Sequence, residues 1–600
     1  MVESQSRSGA EIVRQQGPSR SRFMRYGRRA DGSYQLGRDS IPSNVRLLGS
    51  GQVGGKARGL IFVMNHLAGG TPLTEYDHLI RLPDSLVVTT EVFEEFMDKN
   101  GIDNAVLSRC QEEIGPDELR KIIVSSDFPS SAREPLRRFL TSEHRPLAVR
   151  SSSVMEDDVE HSFAGVYVSE FLSNTGSEEE RLESLIHSIK HVYASTFDRD
   201  ARAYRKRHGL RWQEEKMAVL IQNMIGSHYP RGLYYPLIGG VGYSLNFYPW
   251  SDRLLPEDGV VRLVVGVGTR AVGREYARVF SPKAPGLRPE GSDARAIVRY
   301  SQETVDVLDM EAGSLRDVRL AQLDNPLLRE VCSVVDSEGV LSEPVSLLAR
   351  GGRYVASFNR LIARGKEMPF TSLIHQLLVG LEGLFELAVD IEFAVDFGSG
   401  QGRERPPLFY LLQARPLGAR PEHRQIEVPV IPLDTTLLAC HQVLGNGMRL
   451  DIRHLLFVDP EEYRPQDAHR VARRVGRINQ ILEDDGYILI GPGRWGTTNP
   501  QLGVPVQYNE IAGASTIVEM ATESFSPELS YGTHFYADMV AAGVLYLPLS
   551  EERGDFLNRS MLEESLCPEQ YGCLKHYEFP DGLDVYADGK GKEGLIVVHS

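Results

Sequence analysis

The chain has 600 residues, 41% hydrophobic and 25% charged, and this length predicts about three structural units because one core rarely serves more than roughly 250–300 residues. Its 66 Lys and Arg residues against 82 Asp and Glu residues give a formal charge of −16, which argues against wholesale binding to a nucleic-acid backbone. No apolar run is long enough to span a bilayer, no secretory signal is visible, and the five cysteines are scattered, so we expect a cytoplasmic protein without a membrane segment.

The first 40 residues are rich in Arg, Ser and Gly, with five arginines between positions 20 and 29. We interpret residues 1–40 as a flexible Arg-rich tail, because few apolar residues are available to fold them. An arm that docks on an acidic partner or on another subunit is the alternative.

A glycine turn follows at residues 53–60, with the sequence VGGKARGL, and leads into an apolar stripe that predicts a helix. The glycine pair allows backbone amides to approach phosphate oxygens, and Lys56 adds a positive charge at the start of the helix. The spacing is not that of a Walker P-loop, and a surface turn explains it equally well.

Residues 146–150 predict a short strand that runs into a polar loop of serines, Ser151 to Ser153. Arg150, at the end of this strand, can hold phosphate through two parallel hydrogen bonds. An ion pair with the acids at 156–158 on the surface is the alternative. Further along the chain, the residue pattern predicts two helical regions and two strands: helices at 179–208 and 373–389, and strands at 217–225 and 261–267.

A β-hairpin is predicted next, with a first arm from Asp390 to Phe397 and a second from Leu408 to Arg415. Glu392 and Gln413 on the two arms offer the hard oxygen ligands that Mg²⁺ prefers. Arg415 lies two residues beyond Gln413 on the same face, where it would reach a phosphate. A salt-bridged cross-strand pair is the alternative interpretation.

Six segments occur in one order along the chain: VGGKARGL, AVRSSSVMEDDVEHSFAG, STFDRDARAYR, AVLIQNMI, VGVGTRAVG, and DIEFAVDF with YLLQARPL. Together they closely resemble the ATP/phosphoenolpyruvate-binding domain of pyruvate phosphate dikinase, in the version found in phosphoenolpyruvate synthase. The resemblance covers about residues 45–420, from the first motif to the last.

This resemblance implies an ATP-grasp fold in which ATP and Mg²⁺ are held between two α+β lobes. It also implies roles for the residues that match the family's motifs. Lys56 and Arg150 would contact phosphates, Glu392 and Gln413 would bind Mg²⁺, Arg415 would lie at the phosphate end, and Gln222 to Ile225, with Gln222 and Met224 foremost, would contact the adenine.

The Pro- and Glu-containing stretch at 416–433 predicts a boundary, and residues 421–600 then form a separate unit. A basic helix is predicted at 467–482 and a strand at 487–490. The turn GPGRWG that follows contains Arg494 and Trp495, which either stabilise the turn or contact a ligand.

Two histidines in this unit are considered for phosphoryl transfer and for metal binding. His534 follows Gly-Thr, and an imidazole can accept a phosphoryl group or act as a general base, although a structural role explains a lone histidine equally well. His576 lies near Cys567 and Cys573, but the spacing matches no standard zinc pattern, so we interpret these three as packing or surface residues.

The sequence therefore predicts an α+β protein with an ATP-grasp-like two-lobed module, at 41–215 and 216–420, followed by a smaller α/β or α+β domain at 421–600. We expect an ATP-dependent phosphotransferase with dikinase-type ATP use, in which Arg150, Arg415 and His534 are the catalytic candidates. The family's phosphohistidine segment and pyruvate-binding barrel are not found in the sequence, so the acceptor, a small molecule or a protein, is not identified. A nucleotide-binding regulator and an ATP-grasp ligase are the alternatives, and the oligomeric state stays open.

Overall fold

The computed structural model describes residues 41–599 apart from several gaps: 103–115, 157–166, 208–209, 212–214, 247–248, 252, 273–277, 290, 337, 345–351, 365–367, 399–406, 418–427, 430, 442, 444–445, 483–484, 498, 508–509, 523–543 and 590. The Arg-rich tail and His534 both lie outside the described residues.

A five-stranded sheet forms the centre of the first lobe, in the order Val45–Leu48, Ser85–Val88, Met217–Asn223, Leu147–Ser153, Ser169–Leu172. All its neighbouring strands are antiparallel except the first pair. Val149 and Ile221 face a core that includes helix Glu178–Ser195. This helix begins where a capping box forms, because Ser177 and Glu180 satisfy each other's backbone amides.

Two sequence predictions for this lobe need correction. Ser151 to Ser153 continue the strand rather than form a loop, because they pair in register with Val219 to Met217 and their side chains are buried. The strand Met217–Asn223, which the predicted boundary at residue 216 assigns to the second lobe, lies in the middle of the first sheet. That boundary is therefore too early by this strand.

A six-stranded sheet forms the second lobe, in the order Arg278–Phe280, Val260–Val265, Ile238–Tyr243, Val389–Asp396, Leu408–Pro416, Ile80–Arg81. The predicted hairpin is confirmed: Glu392 pairs with Gln413, and Asp390 pairs with Arg415. The preceding helix, Phe370–Phe385, ends four residues earlier than predicted because Glu386 adopts a left-handed backbone, with φ of 58°.

Helix Gly54–Ala68 lies between the two sheets and contacts both. The backbone N–H of Ala57 donates to Ser152 Oγ in the first sheet over 3.1 Å. A Cβ atom on Gly59 would lie 2.3 Å from the carbonyl oxygen of Ala414 in the second sheet, so only glycine permits this close approach. The helix therefore holds strand Leu147–Ser153, which carries Arg150, close to the hairpin.

The C-terminal unit is built on a nine-stranded mixed sheet, in the order Leu545–Ser550, Ala514–Ala521, Tyr487–Pro492, Asn446–Val458, Leu574–Asp588, Glu593–Val598, Thr436–Cys440, Phe556–Leu557, with Leu566–Tyr571 pairing along Leu574–Asp588. The predicted basic helix is confirmed as Ala468–Leu482. Val475 and Trp495 of this unit belong to the same cluster of buried apolar side chains as Val149 of the first lobe.

The described residues also form three small sheets: Ser314–Arg319, Thr304–Asp309, Leu233–Tyr235 and Ser227–Tyr229 in one, Leu341–Ser342, Ser333–Val335 and Arg353–Val355 in another, and Arg494–Trp495 with Gly503–Val504 in the last. Further α-helices among the described residues are Thr90–Lys99, Pro116–Ser125, Ser130–Ser142, Arg199–Arg207, Thr269–Val272, Ala294–Arg299, Asn359–Arg364 and Arg559–Glu564. Within the ranges that the structure describes, none of the helices combines the length and apolarity needed to cross a bilayer.

Replacement of Gly54 by alanine tests the junction between the helix and the first sheet. Gly54 has φ of +75°, and a Cβ atom there would lie 1.5 Å from the carbonyl oxygen of Ser152. Gly70 is the matched control, because its φ is +76° but its Cβ would meet nothing within 4 Å. We expect G70A to lower the free energy of unfolding by about 1 kcal/mol and G54A by at least about 3 kcal/mol, measured by denaturant unfolding. Equal losses in the two variants would contradict the close contact.

Candidate functional site

A cleft of about 230 Å³ opens between the two lobes. Seven of the eight residues selected from the sequence line it: Lys56, Arg150, Gln222, Met224, Glu392, Gln413 and Arg415. The eighth, His534, lies outside the described residues. The fold therefore brings together side chains that are separated by more than 300 positions in the sequence, for example Lys56 and Gln413.

Arg150 is the centre of the polar wall of this cleft. One of its terminal nitrogens, Nη2, donates to Glu392 Oε2 over 2.5 Å and to Gln413 Oε1 over 2.8 Å. Its other terminal nitrogen, Nη1, donates to Gln222 Oε1 over 3.4 Å. Because Arg150 lies on the first sheet and the hairpin on the second, these hydrogen bonds join the two lobes across the cleft.

The oxygens of Glu392 and Gln413 fit a small cation. Both converge on a single point, which the Nη2 atom of Arg150 occupies at 2.5 and 2.8 Å. A carboxylate and an amide oxygen are hard donors of the kind Mg²⁺ takes from a protein, with phosphates and water completing its coordination. These two residues can therefore hold Mg²⁺ once the guanidinium has moved.

Lys56 has its own carboxylate partner. Its ammonium group donates to Ser151 Oγ over 3.0 Å and forms an ion pair with Glu156, whose side chain is only 1% exposed. Glu156 also accepts from Ser151 Oγ over 3.1 Å and from the backbone N–H of Ser153. The lysine is thus held at the start of its helix, at the wall of the cleft, by the strand that carries Arg150.

The side chain of Arg415 is held by an ion pair with Asp390. Its Nε donates to both oxygens of Asp390 over 2.8 and 2.9 Å, and its Nη2 donates to Asp390 Oδ2 over 2.7 Å. Both side chains are about 5% exposed. A salt-bridged cross-strand pair, the alternative interpretation of this hairpin from the sequence, is therefore present. This pair limits how far Arg415 can move toward a ligand.

A buried network supports the end of the Arg150 strand. Ser153 Oγ and the Tyr167 hydroxyl both donate to Glu215, the latter over 2.7 Å, and Arg205 lies 3.6 Å from the same carboxylate. Burial raises the pKa of Glu215, and Arg205 opposes this shift. Burial, followed by the charge of Glu215, also holds the pKa of Tyr167 well above its usual value. No motif in the sequence indicated these contacts.

The cleft is also lined by apolar side chains, against which a purine base can pack. Its walls include Ala148, Phe171, Met224, Ile225, Pro236, Val267, Phe393, Ala394 and Leu412. The backbone of Met224 is already engaged, since its N–H donates to Pro146 and its carbonyl accepts from the Tyr234 hydroxyl. Met224 therefore offers its side chain, rather than hydrogen bonds, to a bound base.

The cleft also contains Thr269, which was not selected from the sequence, and Asn223, which lies within the predicted base-contact range 222–225. Thr269 follows the glycine segment, and its hydroxyl donates to Asp306 over 2.6 Å, beside an Arg270–Asp306 ion pair of 2.8 Å. Asn223 also lines the cleft, and its buried Oδ1 has no hydrogen-bond partner among the described residues. The glycines at 266 and 268 were the available signal for Thr269, whereas nothing in the sequence distinguished Asn223 from its neighbours.

Part of the chain is similar to known proteins. Residues 50–431 match the family described as "Pyruvate phosphate dikinase, AMP/ATP-binding domain". Phosphoenolpyruvate synthase of Aeropyrum pernix is 26% identical over 390 residues, which cover 61% of this chain and 40% of that protein. Probable phosphoenolpyruvate synthase of Archaeoglobus fulgidus is 31% identical over 25% of this chain and 21% of its own length. Rifampicin phosphotransferase of Bacillus cereus is 28% identical over 24% and 17% respectively. The matches thus span 40% or less of each of these relatives.

The Arg415–Asp390 pair makes a stability prediction. Replacement of Arg415 by methionine would leave a buried carboxylate without its guanidinium, which costs about 3–5 kcal/mol of the free energy of unfolding. Adding D390N to R415M should restore at least about 1 kcal/mol, because the uncompensated charge is then gone. The comparison is made by denaturant unfolding of all three proteins.

The control for this pair is R353A, which removes an exposed arginine from its ion pair with Glu303. We expect little change there, because water replaces the partner at an exposed site. An R415M variant as stable as R353A would contradict a buried, mutually dependent pair.

Proposed function

The chain belongs to the pyruvate phosphate dikinase AMP/ATP-binding domain family, and from this premise we propose that it binds Mg-ATP in the cleft between its lobes and transfers a phosphoryl group from it. The observation that carries the proposal is the convergence of Glu392 and Gln413 on one cationic atom of Arg150. A carboxylate and an amide that meet at a single point, beside two further basic residues, suit a metal-bound polyphosphate.

In this proposal, Glu392 and Gln413 contact the guanidinium of Arg150 in the absence of ligand and would contact Mg²⁺ when Mg-ATP is bound. The guanidinium of Arg150 leaves these oxygens and donates its parallel N–H groups to a phosphate, for which its planar shape is suited. Bound Mg²⁺ supplies the charge neutralisation that phosphoryl transfer requires. The cleft thus keeps its charge balance in both states, because Arg150 compensates Glu392 when no metal does.

The remaining residues position the nucleotide. Lys56 would hold phosphate oxygens, with its ammonium group placed by Glu156 and Ser151. Arg415 would contribute a fixed positive charge at the phosphate end, since Asp390 restrains its side chain. Gln222 and the Met224 side chain would contact the base, beside the apolar side chains of the cleft. Preorganised charges of this kind stabilise the transferring phosphoryl group without reorganisation during the reaction.

The acceptor is a small molecule or a protein side chain, and His534 of the C-terminal unit is one candidate within the chain. The names of the relatives place them among phosphoenolpyruvate synthases and phosphotransferases, which favours dikinase-type use of ATP over ligation. Product analysis tests this choice. Purified protein is incubated with Mg-ATP, with and without a small-molecule extract, and ATP, ADP, AMP and phosphate are separated.

We expect AMP together with phosphate. ADP as the product would contradict dikinase-type chemistry and favour a kinase or ligase. Tight binding of ATP without any product, even with extract present, would favour a nucleotide-binding regulator. Absence of ATP binding would contradict the whole proposal.

Replacement of Glu392 by glutamine tests the assigned metal ligand. The change keeps the shape of the side chain but removes the charge, so we expect Mg-dependent ATP consumption to fall at least about 100-fold. E303Q is the control, since Glu303 is 74% exposed and remote in the chain from the hairpin. Melting curves of both variants check that the fold is retained. Full turnover by a folded E392Q protein would show that Glu392 is not a ligand.

A further inference from the structure

The C-terminal sheet brings three potential metal ligands together on one of its faces. They are His454 on strand Asn446–Val458, and His576 and Glu578 on strand Leu574–Asp588. His454 lies directly opposite Glu578 in the antiparallel register, and His576 is two residues away on the same strand. Because side chains alternate between the faces of a strand, all three occupy the same face.

The distances suit one small ion. One ligand atom from each residue lies within 4.8 Å of the other two. His454 Nδ1 and His576 Nε2 are 3.2 Å apart, close to the separation of about 3.4 Å that two nitrogens have on one tetrahedral zinc ion. A small rotation of the Glu578 side chain, which is half-buried, completes the set.

The donor types indicate the metal. Two imidazoles and one carboxylate form a known three-ligand set for zinc, in which water or a substrate takes the fourth position. A hydrogen bond between two neutral imidazoles would explain the histidine pair alone. It would leave the carboxylate beside them without a role, whereas a carboxylate is a common third ligand of zinc.

The residues around the two histidines and Glu578 also support a metal site. Glu569, on the neighbouring strand Leu566–Tyr571, lies directly opposite His576 and therefore on the same face. Arg474 lies 3.7 Å from Glu569 and stacks over the ring of Tyr571, so a helix closes this side of the cluster. The two cysteines that the sequence placed near His576 are not in the group: among the described residues, its members are the two histidines and Glu578.

We propose that His454, His576 and Glu578 form a zinc site on the C-terminal sheet, with its fourth coordination position open. The site would bind one Zn²⁺ per chain and would link two strands that are separated by more than 100 residues in the sequence. It does not depend on the nucleotide cleft, because none of its residues lines that cleft.

The test uses the full chain, stripped of metal with a chelator and then titrated with Zn²⁺ by calorimetry and with Co²⁺ by visible absorption. We expect one Zn²⁺ per chain, d–d absorption of four-coordinate Co²⁺, and a rise in the melting temperature on addition of Zn²⁺. H454Q and E578Q should each weaken Zn²⁺ binding by about 100-fold and abolish the zinc-dependent rise.

H599Q is the matched control, because His599 is also a histidine beside a carboxylate, with Nδ1 2.8 Å from Asp584. It should bind Zn²⁺ as the unchanged chain does. Melting of the metal-free variants checks folding, and the half-buried Glu578 gives a second variant if H454Q does not fold. Absence of stoichiometric binding by the unchanged chain, or unchanged binding by a folded E578Q, would overturn the proposal.

Discussion

The nucleotide-binding part of this protein depends on one interaction, the pair of hydrogen bonds from Arg150 Nη2 to Glu392 and Gln413. These bonds cross from the first sheet to the second and join the two walls of the cleft. Around them, helix Gly54–Ala68 contacts both sheets, and the network of Ser153, Glu215 and Tyr167 fixes the strand that carries Arg150. The side chains of the proposed metal site are therefore also among those that connect the two lobes.

This arrangement has a consequence for affinity. A half-buried carboxylate such as Glu392 needs a cation, and Arg150 supplies it in the absence of ligand. In the proposed function, the guanidinium of Arg150 would leave the oxygens of Glu392 and Gln413 when they hold Mg²⁺, so part of the binding free energy of Mg-ATP would be used to break an existing ion pair. The released guanidinium then binds phosphate, which offsets this cost and couples metal binding to nucleotide binding. Arg415 cannot make the same exchange readily, because Asp390 holds it through several hydrogen bonds.

Much of this site could be predicted from the sequence, because its signals are local. The alternation along Asp390 to Asp396 shows which side chains share a face. It does not show the register of the hairpin, which shifts by one residue between Glu392 and Phe393. The sequence did not show that Asp390 is the partner of Arg415, since any nearby acid fits the same pattern. It also did not place strand Met217–Asn223 in the first sheet, because the neighbour of a buried strand is decided by tertiary packing. His454 and His576 are 122 residues apart, so their contact is visible only in the folded chain.

The most direct test of the proposed site is a structure of the protein with Mg²⁺ and a non-hydrolysable ATP analogue. We predict the metal between Glu392 and Gln413, the guanidinium of Arg150 turned from these oxygens onto a phosphate, and the base against Met224. A nucleotide bound elsewhere, or bound in the cleft with Arg150 still on Glu392 and no metal between the two oxygens, would contradict this prediction.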